Sequence, residues 1–194
     1  MDSNFMPRLN PSHGFTLLEL LITVAVASIL MAIAIPNFSK WRVKHEINGQ
    51  TQKVFFDLML ARSTAIKNSN DVLITFNEDK NIYTVSNDIN GNGIEDFGEN
   101  LKSVNLENNV EFGYNPGVYD VDGNLVTSSI FLGSRYAVTF NSKGQASKSG
   151  SIFLIHKNDI GVSNNRLRSI NILQATGAIE LLKYDSDSMA NPWS

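Results

Sequence analysis

The 194-residue sequence contains no cysteine, which excludes disulfides and thiolate metal sites. Histidine is scarce, with three copies at His13, His45 and His156. Neither a G-x-S-x-G nor an H-E-x-x-H pattern accompanies them, so nothing motivates catalysis and the chain reads as a non-enzyme. Charge of one sign is lacking too: 16 basic and 19 acidic residues leave a net charge of -3. That balance supplies no global pull toward nucleic acid or an anionic membrane. One stretch lacks almost every polar residue. Phe15–Ile35, FTLLELLITVAVASILMAIAI, has no Lys, Arg, Asn, Gln, Gly or Pro and a single charge, Glu19.

Those 21 residues make roughly 31 Å of helix at about 1.5 Å per residue, enough to span a bilayer core. Pro36 is expected to stop or kink that helix, because proline lacks an N–H and clashes with the preceding turn. Basic residues follow only beyond it, at Lys40, Arg42 and Lys44. An ordinary secretory signal has a shorter apolar stretch with its small-residue cleavage site after it. Here Gly14 precedes a long apolar run. The leader MDSNFMPRLNPSHG is polar, and its Pro7 and Pro11 argue against a continuous helix. Met6 offers a second start that leaves a shorter leader.

Glu19 is costly in lipid unless it is paired. Cleavage after Gly14 creates a free ammonium at Phe15, a natural partner for it within a filament. The alternative is a carboxylate that snorkels to the headgroups. The stretch His13-Gly14-Phe15-Thr16-Leu17-Leu18-Glu19-Leu20-Leu21 resembles the class III signal of type IV prepilins and type II secretion pseudopilins. The resemblance implies cleavage between Gly14 and Phe15 by a prepilin peptidase, N-methylation of Phe15, and a role for Glu19 in assembly. Pro36 matches the family's helix-kinking proline. It also implies a single-pass inner-membrane protein with a periplasmic globular domain, later drawn into a pilus or pseudopilus with other pilin or pseudopilin subunits.

From Asn37 to about Asn68 a second helical pattern follows, with Ile47, Val54, Phe55, Leu58, Ala61 and Ala65 on one face. Gly49 interrupts it as a soft point. Trp41 suits an interfacial anchor or a subunit contact. Beyond Asn70 the pattern changes to short strands: Val72–Phe76, Ile82–Ser86, Val110–Phe112, Ile130–Leu132, Tyr136–Phe140, Ser151–His156, Arg168–Leu173 and Ala178–Tyr184. The expected organisation is leader 1–14, transmembrane helix 15–36, packing helix 37–70 and a β-rich domain 71–194. The fold class is α+β and pilin-like: a long N-terminal helix on a mainly antiparallel sheet. The stretches Leu60–Ile66, Val72–Ile74, Val138–Phe140 with Gly144, Gly150–Ile152 and Arg168–Gly177 resemble the GspH/FimT branch of minor pilins and pseudopilins.

Asp88, Asn90, Asn92, Gly93 and Glu99 fit the calcium-loop spacing D-x-[DN]-x-[DN]-G-x5-E, with Ile94 offering a carbonyl and Asp96 a further ligand. The other reading is a polar hairpin turn whose Asx side chains bond their own backbone. Gly91 and Gly93 lack the strand–glycine–helix order of a phosphate site. His156 reads as a strand-edge residue facing water. Some FimT-type relatives bind DNA, and the resemblance places a Gly-Arg-x-Arg element where this chain has Gly177-Ala178-Ile179-Glu180. Both arginines are missing. Arg166 and Arg168, with Lys157 and Arg135, form the remaining candidate nucleic-acid patch, or are structural arginines bordering a strand. The tail Asp185–Ser194 is expected to be mobile, and the sequence assigns no role to Trp193.

Overall fold

The computed structural model describes residues 14–133, 136–186, 188 and 192–194. Helix α1 runs Leu17–Asn68. Nine strands follow among the described residues: β1 Asp71–Asn77, β2 Ile82–Asp88, β3 Asn100–Asn105, β4 Val110–Phe112, β5 Ile130–Phe131, β6 Ala137–Phe140, β7 Gly150–His156, β8 Arg168–Ile172 and β9 Ile179–Lys183. The chain divides into two compact units, one ending at Trp41 and one spanning Arg42–Ser194. In the first unit the apolar side chains of α1 face outward, and the segment is long and apolar enough to cross a membrane.

In the second unit α1 lays Val43, Ile47, Val54, Leu58, Ala61 and Ala65 on one face, at steps of three, four or seven residues. That spacing is the helical period, and burying each large aliphatic side chain stabilises by about 1.5–3 kcal/mol. The α+β expectation holds. The β-rich part forms two sheets, one ordered β3-β2-β1-β6 and one ordered β4-β7-β8-β9, with β5 also on β7. All these pairings are antiparallel.

Alternation along β7 and β8 explains the two layers. Ile152 and Leu154 with Ile170 and Ile172 join the helix core. Phe153 and Ile155 face the other way, into a second cluster with Val118, Val126, Leu167 and Trp193. A strand covered on both faces reads as a nearly continuous apolar run, which is why SIFLI lacks polar alternation.

The helix does not stop at Pro36; it continues to Asn68 as the one long helix of the expected fold. Pro36 leaves the carbonyl of Ala32 without its helical donor, yet Asn37 Nδ2 donates to the next carbonyl, Ile33 O, at 3.1 Å. Nor does Gly49 interrupt the helix, for it sits inside α1 with open space where a Cβ would be. Strand β3 had no place in the sequence reading. It is an exposed edge strand with Val104 as its buried residue, so it carries no apolar alternation to detect.

Candidate functional site

The N-terminal segment is built around Thr16 and Glu19. Leu17 is the first helical residue, so Thr16 is the N-cap and Glu19 stands three positions on. Glu19 N donates to Thr16 Oγ1 at 3.2 Å, and Thr16 N donates to Glu19 Oε2 at 3.3 Å. This reciprocal capping box satisfies two backbone donors that would otherwise be orphaned. The sequence signal for it is T-x-x-E before an apolar run. The remaining polar side chains of the span close on their own helix: Thr23 Oγ1 donates to Leu20 O at 2.9 Å and Ser28 Oγ to Val24 O at 2.7 Å. Such back-bonding suits a helix in a medium that supplies no hydrogen bonds. Gly14 and Phe15, which flank the expected cleavage point, are exposed. Residues 1–13, including Arg8 and His13, lie outside the described residues.

The Asp88–Glu99 loop connects β2 to β3 and is closed by its own hydrogen bonds. Buried Asp88 accepts from Asn92 N at 3.0 Å and Gly93 N at 2.9 Å. Buried Glu99 accepts from Ile89 N and Asp96 N, both at 3.0 Å. Asn90 and Asn92 each donate their amide to Asp96 Oδ2 at 2.7 Å. Ile94 N donates to Asn92 Oδ1 at 2.8 Å. The Asx side chains therefore bond the loop's own backbone, as the hairpin alternative expects. Among the described residues no group of three or more His, Asp or Glu is placed to hold a metal ion.

Of the candidate nucleic-acid residues, Arg168 is buried, Arg166 is half-buried and Lys157 is exposed. Arg168 is 3% exposed and donates Nε and Nη2 to Asn48 Oδ1 at 3.0 and 2.8 Å, and Nη1 to Leu167 O. Burial, with the nearby Arg166 charge, lowers its pKa to about 10, which leaves it charged at neutral pH. Arg166 donates Nε and Nη2 to the carboxylate of Asp159, and that hydrogen bonding raises its pKa. Lys157 lies 3.9 Å from Glu111, and Arg135 is outside the described residues. A phosphate finds two of these guanidinium groups already bonded within the fold.

His156 does not face water. It is 1% exposed, because it continues the inward row of Ile152 and Leu154 on β7. Its Nδ1 accepts from Asn158 N at 3.1 Å, so Nε2 carries the proton and donates to Glu46 Oε2 at 3.0 Å. Trp193 and Ser194, at the end of the C-terminal tail, are likewise held. Trp193 is 5% exposed, its Nε1 donates to Tyr119 O at 2.7 Å, and its ring lies 5.0 Å from Tyr184 and 5.8 Å from Phe153. Lys183 N donates to Ser194 O at 2.8 Å. The composition of the tail hid this, since a single aromatic carries the docking.

Arg62 of α1 joins two turns that are distant in sequence. Its Nε donates to Gly144 O at 2.8 Å and its Nη2 to Thr176 O at 2.9 Å. Gly177 has φ +61°, and a Cβ there would lie 1.9 Å from Gly144 O. Only glycine fits such an approach.

Residues 9–35 match the family described as the prokaryotic N-terminal methylation motif. Over 42 residues, 22% of this chain, the sequence is 55% identical to the type IV major pilin protein PilA of Myxococcus xanthus (strain DK1622). That match spans 18% of the PilA length. Among solved structures, the minor pseudopilin EpsH from the type 2 secretion system of Vibrio cholerae superposes with a TM-score of 0.47 at 15% identity, covering 71% of this chain and 97% of that one. The type IV minor pilin FimU of Pseudomonas aeruginosa PAO1 gives a TM-score of 0.45 at 14% identity, with coverage of 71% and 88%.

Proposed function

We propose that this chain, whose N-terminus carries a prepilin-type methylation segment, is a structural subunit of a type IV pilus or type II secretion pseudopilus. The observation that carries the reading is the match of residues 9–35 to the methylation motif, directly ahead of and within an outward-facing apolar helix. A prepilin peptidase cleaves between Gly14 and Phe15 and methylates Phe15. The apolar helix holds the subunit in the inner membrane with the β-rich unit in the periplasm, and then packs among the helices of neighbouring subunits.

Glu19 aligns the subunits. Cleavage after Gly14 leaves the amide of Thr16 intact, so the capping box with Glu19 survives processing. The new Phe15 ammonium then stands one residue from the cap, and the Glu19 carboxylate is available to a neighbour's ammonium in a low-dielectric bundle, where such a pair is strengthened. DNA binding is not carried forward. Glu180 stands where the resemblance calls for arginine, and Arg166 and Arg168 are engaged inside the fold.

The decisive experiment is the intact mass of membrane-extracted protein, expressed with and without a prepilin peptidase. Loss of residues 1–14 plus one methyl group supports the reading, and an unprocessed chain overturns it. Separately, Glu19→Ala is expected to block filament incorporation while the β-rich unit stays folded; normal incorporation would remove the assembly role.

A further inference from the structure

Three asparagines precede glycine in this chain: Asn48-Gly49, Asn90-Gly91 and Asn92-Gly93. In each pair the glycine nitrogen is the backbone nucleophile next to the asparagine side-chain carbonyl, and glycine has no Cβ to crowd the approach. Attack needs that nitrogen without its proton, so an N–H held in a hydrogen bond is protected. The structure treats the three pairs differently. Gly49 lies inside α1, where its N–H bonds the carbonyl four residues back, and Asn48 Oδ1 accepts two bonds from Arg168. Gly93 N donates to buried Asp88 Oδ2 at 2.9 Å. The related acid pair Asp122-Gly123 is closed too, with Gly123 N donating to Asp120 O at 3.2 Å.

Gly91 is the exception. Both Asn90 and Gly91 are exposed, and Gly91 N donates no hydrogen bond among the described residues. Gly91 has φ +70°, with open space where a Cβ would stand, so the tip can turn without displacing a neighbour. The Asn90 amide is also held for attack. Asn92 N donates to Asn90 Oδ1 at 3.0 Å, polarising the carbonyl and facing the oxygen on which charge develops. Asn90 Nδ2, the leaving nitrogen, donates to Asp96 Oδ2 at 2.7 Å. Asn92 shares both features, for Ile94 N donates to its Oδ1 and its Nδ2 also reaches Asp96. The glycine N–H therefore distinguishes the two adjacent pairs.

We propose that Asn90 is a site of self-modification, at which the chain converts asparagine into aspartate and isoaspartate while Asn48 and Asn92 persist. Gly91 N, its proton lost to hydroxide, forms a bond to Asn90 Cγ. The Cγ–Nδ2 bond then breaks, and ammonia leaves with a proton taken from solvent, closing a five-membered succinimide. Water opens the ring at either carbonyl. Cleavage at Cγ gives aspartate, and cleavage at the Asn90 backbone carbonyl gives isoaspartate, whose main chain runs through the former side chain. One water is consumed, one ammonia is released, and nothing is oxidised or reduced. The product sets a carboxylate where Asn90 Nδ2 had donated to Asp96, so two like charges meet and the loop between β2 and β3 loosens. Because ammonia is lost, the change runs one way and marks the age of the chain. The proposal does not depend on filament assembly.

The test incubates the full, detergent-solubilised chain at mildly alkaline pH and maps it by tryptic mass spectrometry. Cleavage after Lys80 and Lys102 releases one peptide holding both Asn90 and Asn92, and fragment ions separate the two. Asn90 is expected to convert about tenfold faster than Asn92, the scale of the hydrogen bond to Asp88 that protects Gly93. In urea the two rates should converge, because the native bonds that separate them are gone. Asn90→Asp, which supplies the aspartate product directly, should lower the thermal midpoint, with part of the loss restored by salt. The proposal fails if Asn92 or Asn48 converts as fast as Asn90 in the folded chain, if Asn90 converts in urea but not when folded, or if the difference persists in urea. A midpoint for Asn90→Asp equal to that of the parent chain overturns the loosening.

Discussion

His156 Nε2 lies 3.0 Å from Glu46 Oε2, joining the end of β7 to helix α1 at the edge of the core. Because Asn158 N donates to Nδ1, the imidazole is neutral with its proton on Nε2. A ¹⁵N-detected imidazole spectrum should show Nδ1 as the unprotonated nitrogen; the reverse assignment would contradict the geometry. His156→Ala should cost about 2–3 kcal/mol, chiefly because it opens space at a fully buried site. Glu46→Gln keeps an acceptor and should cost less than Glu46→Ala. Chemical denaturation of the detergent-solubilised chain measures all three.

Tyr83 makes stability depend on alkaline pH. Its hydroxyl is buried and donates to Asp57 Oδ2 at 2.5 Å, and burial, then Asp57, raises its pKa far above the usual tyrosine value. Above pH ~10 the unfolded tyrosine loses its proton while the folded one keeps it. The native state then binds more protons, so stability falls as pH rises. The contribution is complete below pH ~10 and is lost above it. Tyr83→Phe should lower stability at neutral pH by about 1 kcal/mol, and the gap between the two proteins should narrow as pH climbs past 10. A constant gap from pH 8 to 11 would refute this. Taking the difference cancels the contribution of Arg168.

The Asp88–Glu99 loop should stand without an ion. Excess EDTA is expected to leave the thermal midpoint of the purified chain unchanged. Asp88→Ala, which strands the amides of Asn92 and Gly93, should destabilise by about 1–3 kcal/mol. A midpoint that rises with added calcium and drops with EDTA would instead establish the calcium reading of this loop.

Trp193 anchors the C-terminus, so Trp193→Ala should cost about 3–5 kcal/mol, the range for emptying a large aromatic site. Fluorescence provides a second readout. Trp41 is exposed and Trp193 buried, so the substitution should remove the blue-shifted, quencher-protected emission and leave the accessible one. A tail that merely lies on the surface would show neither change.

Several elements were legible before the fold was known. The packing face of α1 follows from helical spacing at Ile47, Val54, Leu58, Ala61 and Ala65, and eight of the strands follow from short β-branched and aromatic runs between turn residues. β3 escaped because an edge strand buries little. His156 was misplaced because which face of β7 it shares with Ile152 and Leu154 depends on register, and register depends on a partner strand. The arginines looked alike in sequence; only packing distinguishes Arg168, buried against Asn48, from a surface cation.

The sequence by itself determined what is local and periodic: a 21-residue apolar span, its Thr16–Glu19 cap, the amphipathic continuation of the helix, and the β-rich remainder. Hydrophobic period and capping chemistry act over a few residues, so they can be read one segment at a time. Tertiary structure alone decided that β7 is covered on both faces, that Arg62 ties the turns at Gly144 and Thr176, and that Trp193 closes the second core. Those relationships join residues tens of positions apart. They arise only when strand register and two-sided burial select one arrangement among many that the same local pattern permits.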